Sequence, residues 1–274
     1  MKRSLLVIFI FIQWCGLCYA QQYALYNTRT LFDAFENPSQ KAFIPDSSKK
    51  YAFNFFVPNL SFSSEFKGNM PAQTTLKKIL FKRIFDASNL INTSGMNNFY
   101  ADQNTYLVML RIFGNVYLNS EKGFAWQIKT DIRGTVSNET LAILHNSNLF
   151  TSGTPYEDVL NNSLNGISYH QFSFSYRENY SKRLGLGIKL SYLSGIGYSS
   201  LSMDKSEVLV DQLNNTYDVS LKGKYRTNIL LNDPGDKIIQ PGIKNPGLAI
   251  GISANYKLHR GWYLLGNLKD LGFI

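Results

Sequence analysis

Cysteine is nearly absent from this sequence: there are two, Cys15 and Cys18, and both fall within the first 20 residues. That stretch places Lys2 and Arg3 before an apolar run from Leu5 to Ile12 and ends in Cys18-Tyr19-Ala20, the layout of a secretory signal peptide, with cleavage expected after Ala20. The run falls short of the roughly 20 apolar residues that a spanning helix needs. Trp14 and Leu17 precede the two cysteines where a lipoprotein has a small residue, so no lipid anchor is expected. A mature chain from residue 21 then has no thiol, which excludes a disulfide-stapled domain, thiolate metal sites and a cysteine nucleophile.

Histidine is almost as scarce, at three residues. His145 lies in a polar loop, His259 in a turn, and His170 on the apolar side of a strand. A membrane lipase needs a serine, a histidine and an orienting polar group together. Only His170 with Ser168 or Ser173 offers a start, and an interfacial histidine is the preferred reading. No metal-ligand spacing, phosphate-binding glycine loop or nucleotide fingerprint is present. Gly185-Leu186-Gly187 lacks a third glycine, and alternating glycines in a strand relieve crowding on one face. Neither an enzyme nor a cofactor is expected. Losing Lys2 and Arg3 lowers the formal charge from +9 to +7, too mild an excess to imply nucleic acid, and none is expected as a partner.

No stretch after residue 21 is long and apolar enough for a spanning helix, so a helical membrane protein is excluded. What the sequence does hold is aromatic residues, 14% of the chain, arranged with period two, as on strands with one apolar and one polar face. Phe124, Trp126, Ile128, Thr130 and Ile132 alternate with Ala125, Gln127, Lys129, Asp131 and Arg133. The pattern recurs at Phe172 to Arg177, Leu184 to Tyr192, Tyr217 to Arg226 and Leu248 to Lys257. It is weaker at Phe62 to Lys67, Tyr106 to Phe113 and Trp262 to Leu268. These segments predict about eight strands.

A soluble antiparallel sandwich also alternates. Against it stand strands long enough to cross a bilayer, a polar face rich in small residues, and Tyr169, Tyr180, Tyr198 and Trp262 near strand ends, where an interfacial girdle belongs. The expected fold class is therefore all-β, an antiparallel transmembrane β-barrel of eight or more strands. Its expected segments are a signal peptide over 1–20, a plug-like segment over 21–50 and the barrel over 51–274. Hydrocarbon tolerates only closed sheets, so the strands must pair at both edges.

The turns at Asn119 to Gly123 and Glu178 to Arg183 are short, whereas Gly68 to Asn104 and Ser137 to Asn165 are long, as for periplasmic turns and outer loops. The short turn Leu258 to Gly261 breaks this scheme under simple up-and-down counting. A strand is therefore missed or miscounted, with Tyr51 to Val57, interrupted by Pro58, and Glu207 to Asp211 the first suspects. Thr75 to Phe85 has Leu76, Ile79, Leu80 and Ile84 at helical spacing among Lys77, Lys78, Lys82 and Arg83. It predicts a basic amphipathic loop helix that packs on the barrel rim, touches lipopolysaccharide or forms a lid over the barrel mouth.

On strand parity Lys129, Asp131, Arg133, Arg177, Lys189, Lys222, Asp218, Lys224, Arg226 and Lys257 share the inward face. A water-filled lumen lined this way would favour anions. Alternatively, the charges pair with one another and with a plug and close the interior.

Gln22-Tyr23-Ala24-Leu25-Tyr26 followed by Phe35-Glu36-Asn37-Pro38-Ser39 resembles the Asn-Pro-Ala segment that opens the superfamily of long-chain fatty-acid transporter barrels. Asn37 and Pro38 match, and Ser39 stands where Ala is usual. The closing Leu268-Lys269-Asp270-Leu271-Gly272-Phe273-Ile274 resembles a strand-end motif of the same group, especially of an uncharacterised branch with a domain of unknown function. The resemblance implies that Asn37 and Pro38 belong to a plug within an outer-membrane barrel. It also implies that the barrel passes small hydrophobic or amphipathic compounds, or that it serves as a non-transporting part of an assembly such as secretion machinery. Expected partners are outer-membrane lipid and lipopolysaccharide, a hydrophobic small-molecule ligand, and in the second case a protein. Members of that superfamily run well past residue 274, so an N-terminal fragment and a small complete barrel are both open.

Overall fold

The computed structural model describes residues 30–41, 50–90, 95–114, 119–145, 150–214, 216–228, 241–242, 245–259 and 262–274. The expected signal peptide over 1–20 and the Gln22-to-Tyr26 run lie outside the described residues, as do 21–29 and 42–49 of the expected plug-like segment.

Among the described residues the chain forms one all-antiparallel sheet of nine strands. They are β1 (Tyr51–Lys67), β2 (Met96–Gly114), β3 (Ser120–Ser137), β4 (Pro155–Glu157), β5 (Ser163–Asn179), β6 (Leu184–Asp211), β7 (Thr216–Thr227), β8 (Pro246–Lys257) and β9 (Tyr263–Phe273). The main path runs β1-β2-β3-β5-β6-β8-β9, with β4 and β7 added to β6. Tyr51 to Val57 is the first half of a 17-residue β1, whose register shifts between Phe55 and Asn59, around Pro58. Proline has no N–H for the ladder, so the strand bends there instead of ending.

The second suspect, Glu207 to Asp211, is the far end of the 28-residue β6. This strand explains the broken turn parity. β7 pairs with its outer half, Ser199 to Asp211, and β8 with its inner half, Leu184 to Ser194. β7 and β8 therefore share one strand position, divided by residues 228–245. Counted as one, they put the connections Gly114 to Ser120, Asn179 to Leu184 and Lys257 to Tyr263 at one end of the sheet and the long connections at the other.

The two faces differ in chemistry. Outward positions expose Phe53, Phe62, Phe174, Leu190, Leu248, Leu264 and Phe273, while Tyr180 and Trp262 are exposed beside the short turns. Inward positions bury Gln127, Lys129, Gln171, Ser173, Lys189, Ser191 and Ser253. The sheet curls around a short helix, α1 (Leu31–Glu36), in which Ala34 and Phe35 are fully buried. Six residues make a marginal helix. Here a capping box starts it, Asp33 N–H donating to Thr30 Oγ1 at 3.1 Å, and Asn37 before Pro38 stops it by leaving helical geometry. Strands β1 and β9 end the path, and among the described residues neither pairs at its outer edge.

At the long-loop end sit α2 (Met70–Lys82), a 3₁₀ turn (Ser88–Leu90), α3 (Asn138–His145) and β4. Ala72, Leu90, Ala142, Phe150 and Val159 pack there against Val208 and Val210 of β6. The helix expected from Thr75 to Phe85 instead begins at Met70. Asn69 caps it, accepting from Ala72 N–H at 3.0 Å, and Pro71 suits its first turn; Arg83 ends it in a left-handed conformation, φ 56°.

Candidate functional site

The candidate site is the filled inner face around residues 30–41. Beyond α1, Asn37, Pro38, Ser39 and Gln40 form a tight turn, with Gln40 N–H donating to the Asn37 carbonyl at 3.0 Å. Proline at its second position presets the backbone. Asn37 Oδ1 accepts from Ser39 N–H at 3.2 Å and from Ser39 Oγ at 2.8 Å, which closes the turn from inside. Asn37 and Pro38, marked out by their resemblance to a plug segment, thus shape the backbone where it lies against the sheet.

Five strands hold this segment. Glu36 accepts from Asn104 (3.0 Å) and Tyr106 (2.6 Å) of β2 and pairs with Lys269 of β9. Lys189 of β6 donates to the Phe35 carbonyl at 3.2 Å, and Arg111 of β2 donates to the Ala34 carbonyl. Arg177 of β5 donates to the Ser39 carbonyl at 2.9 Å, and Ser39 N–H donates to Ser253 Oγ of β8 at 2.7 Å. Three cations from three strands therefore face main-chain carbonyls of α1 and the turn that follows it, where a helix end is electronegative.

The charges also pair among themselves. Asp270 receives Lys129 at 2.6 Å and Lys189 at 2.8 Å, and its other donor, Gln171, lies at 3.0 Å. Glu121 lies 3.4 Å from Arg177 and 3.8 Å from Arg111, whose guanidinium stacks over Phe35 at 5.0 Å. Burial alone would raise the Glu36 carboxyl, but Lys269, Lys129 and Lys189 outweigh it and hold the pKa at about 2. Two adjacent residues, Lys269 and Asp270, can both reach inward because β9 bulges there. Ile250 faces Leu271 and Ile252 faces Leu268, so the pair stands opposite Gly251 alone, with Asp270 at φ 47°. Aspartate tolerates that left-handed backbone better than most side chains.

Of the residues assigned to the inward face, Lys129, Arg177 and Lys189 belong to this cluster. Asp131 and Arg133 lie farther toward the long loops: Tyr100 donates to Asp131 at 3.1 Å, and Arg133 covers the Tyr100 ring at 5.3 Å. Arg133 and Tyr100 line a cavity of about 530 Å³ with Glu65, Lys67 and Asn165. Lys222, Lys224 and Arg226 keep their expected parity but are exposed, because β7 pairs only with the outer half of β6. Asp218 shares that exposed strand. Lys257 is exposed at the short-turn rim. The expectation of one continuous charged lining is corrected accordingly. The buried cations have carboxylate and carbonyl partners, so this part of the interior is closed.

His170 lies on the outward side, where Trp126 Nε1 donates to its Nδ1 at 3.2 Å. Ser168 shares a hydroxyl contact with Thr130 at 2.9 Å, and Ser173 faces the opposite side, 2.9 Å from Ser191.

Glycine at 187 is required by the close approach of the segment. A Cβ there would overlap the Pro38 carbonyl group and the Ser39 nitrogen. Gly187→Ala is expected to push residues 37–39 off the sheet, at a cost on the order of 1–3 kcal/mol. Limited proteolysis read by mass spectrometry should then cut within 30–41 in the variant and spare the wild type.

A model of a family of unknown function, DUF5723, matches residues 42–274. The chain belongs to that family. The match contains all nine strands and begins after α1 and the Asn37-Pro38 turn, so the DUF5723 region is the sheet together with its long-loop end. No curated protein and no solved structure matches the chain.

Proposed function

We propose that this chain is a plugged β-barrel of the Gram-negative outer membrane, delivered by a cleaved signal peptide, which passes small hydrophobic or amphipathic compounds when residues 30–41 shift. One observation carries the membrane reading: the sheet is apolar outside and polar inside, the reverse of a soluble sheet. In hydrocarbon the outer edges of β1 and β9 must also be paired, so the membrane form closes them. The transport reading rests on the resemblance around Asn37 and Pro38, together with a segment that fills the interior through polar contacts and not through a covalent link.

Purified protein in planar bilayers is expected to show no steady conductance, while removal of residues 30–41 opens a steady ion-conducting state. A wild-type open pore, or no change on removing the segment, contradicts the plug. For transport, uptake of a labelled fatty acid should fall in a strain lacking the gene, and unchanged uptake counts against it. A second reading, a non-transporting structural or interaction component, is favoured by the dense ion pairing of the interior, which would have to break for passage. Co-purification with one stable partner supports that reading, and isolation as a lone monomer in detergent opposes it.

A further inference from the structure

The segment 70–85 contains four basic residues and no acidic one. Its helix, α2, anchors through small groups. Ala72 is buried in the loop-end core, and Thr75 Oγ1 donates to the Asp86 carbonyl at 3.1 Å. Leu76 is half-buried, and most of the larger apolar side chains stay outside. Phe81 is 84% exposed, Met70 79% and Leu80 67%, and Ile84 and Phe85 are exposed beyond the helix end. Leu144 of α3 is exposed as well, and the neighbouring His145 ring meets Phe85 edge-on at 5.4 Å, so α3 joins the same patch. The helix thus meets its rim through Ala72 and Thr75, with Leu76 half-buried, while Ile79, Leu80 and Ile84 of the expected apolar stripe are exposed.

Lys78 is engaged by Asp86 at 2.7 Å, whereas Lys77, Lys82 and Arg83 are exposed between the apolar side chains. Apolar and basic groups interleaved on one exposed surface fit an anionic amphiphile, which supplies acyl chains to one set and phosphates to the other. Position narrows the choice. The helix starts three residues after β1, whose exposed outward residues Phe53, Leu60 and Phe62 form part of the apolar belt. It lies at the long-loop end, which faces the outside in membrane barrels.

We propose that α2, with Ile84, Phe85 and Leu144, is an interfacial contact for the phosphorylated glycolipid of the outer leaflet, the lipid A part of lipopolysaccharide. Leu80, Phe81 and Ile84 enter the acyl layer, and Lys77, Lys82 and Arg83 bind its phosphates. This rests on the membrane reading above.

The test places the full chain in vesicles of phosphatidylcholine alone, with phosphatidylglycerol, or with lipid A. Flotation reports insertion, and hydrogen exchange reports protection of residues 70–85. Insertion in all three with protection greatest on lipid A is expected. Lys77→Gln/Lys82→Gln/Arg83→Gln should lower affinity for lipid A roughly a hundredfold, from about three lost surface charges, with insertion unchanged. Leu80→Ser/Phe81→Ser should remove the protection in every vesicle. Equal protection on phosphatidylglycerol and lipid A, or a triple variant that behaves as wild type, overturns the inference and leaves the barrel standing. A wild type that floats with no vesicle overturns both.

Discussion

Asp270→Ala is expected to destabilise the protein by roughly 3–5 kcal/mol, the usual cost of removing one partner from a buried ion pair. The carboxylate serves two ammonium groups, Lys129 at 2.6 Å and Lys189 at 2.8 Å, both almost fully buried. Without it the only anion left near both is the Glu36 carboxylate, which already pairs with Lys269, and burial in low dielectric makes a poorly compensated charge expensive. Alanine also fits poorly at φ 47°, so the β9 bulge that points both Lys269 and Asp270 inward loses its favoured residue. Asp270→Asn separates the two effects. Asparagine keeps the left-handed preference and can still meet Gln171, yet it removes the charge. It should retain most of the loss if the ion pairs dominate, and little if the bulge does. Urea unfolding in detergent micelles, followed by tryptophan fluorescence, reads both variants. A loss below about 1 kcal/mol in each would mean that the ammonium groups find other acceptors in the interior.

The second large effect is a pH dependence traced to Glu36. Its carboxyl stands at about 2 in the folded protein against an ordinary 4.5, because three lysines outweigh the burial that alone would raise it. A folded value below the unfolded one means that the anion is favoured by folding. The stabilisation is therefore complete above pH 4.5 and is lost as pH falls from there through 2. The difference is worth roughly 3 kcal/mol. Glu36→Gln should remove about that much stability at pH 7 and much less at pH 2, so the gap between wild type and variant closes across that window. The same variant loosens the contact between residues 30–41 and β9, since the Lys269 pair and the Tyr106 hydrogen bond both depend on the charge. Parallel stability curves for the two proteins from pH 7 to pH 2 would contradict this assignment.

Much of the sheet was legible as alternation. Period two along β3 places Gln127, Lys129, Asp131 and Arg133 on the side opposite Phe124, Trp126 and Ile128, and the structure keeps that division because one residue per step is the geometry of a strand. The inner cluster was only half legible. Arg111 was hidden because β2 shifts register between Tyr106 and Val108, and one extra residue turns the remaining side chains to the opposite face. Lys269 and Asp270 were hidden by the same effect on β9, where two neighbours point inward together. Glu36 sat within a recognised motif, but nothing local reveals a carboxylate that meets β2 and β9 at once.

Local pattern was sufficient for the all-β class and for the polar and apolar faces, since strand periodicity acts over a few residues, whereas Asn37 and Pro38 were marked out by a family resemblance. Strand number, the shared position of β7 and β8, the exposure of Lys222, Lys224 and Arg226, and the closing of the interior by α1 depended on tertiary structure. Each is set by pairings and contacts between residues tens to hundreds of positions apart, as Glu36 with Lys269 shows. Such pairings are decided by bulges, by strand length and by where burial makes a charge find its partner, none of which is written in the spacing of neighbouring residues.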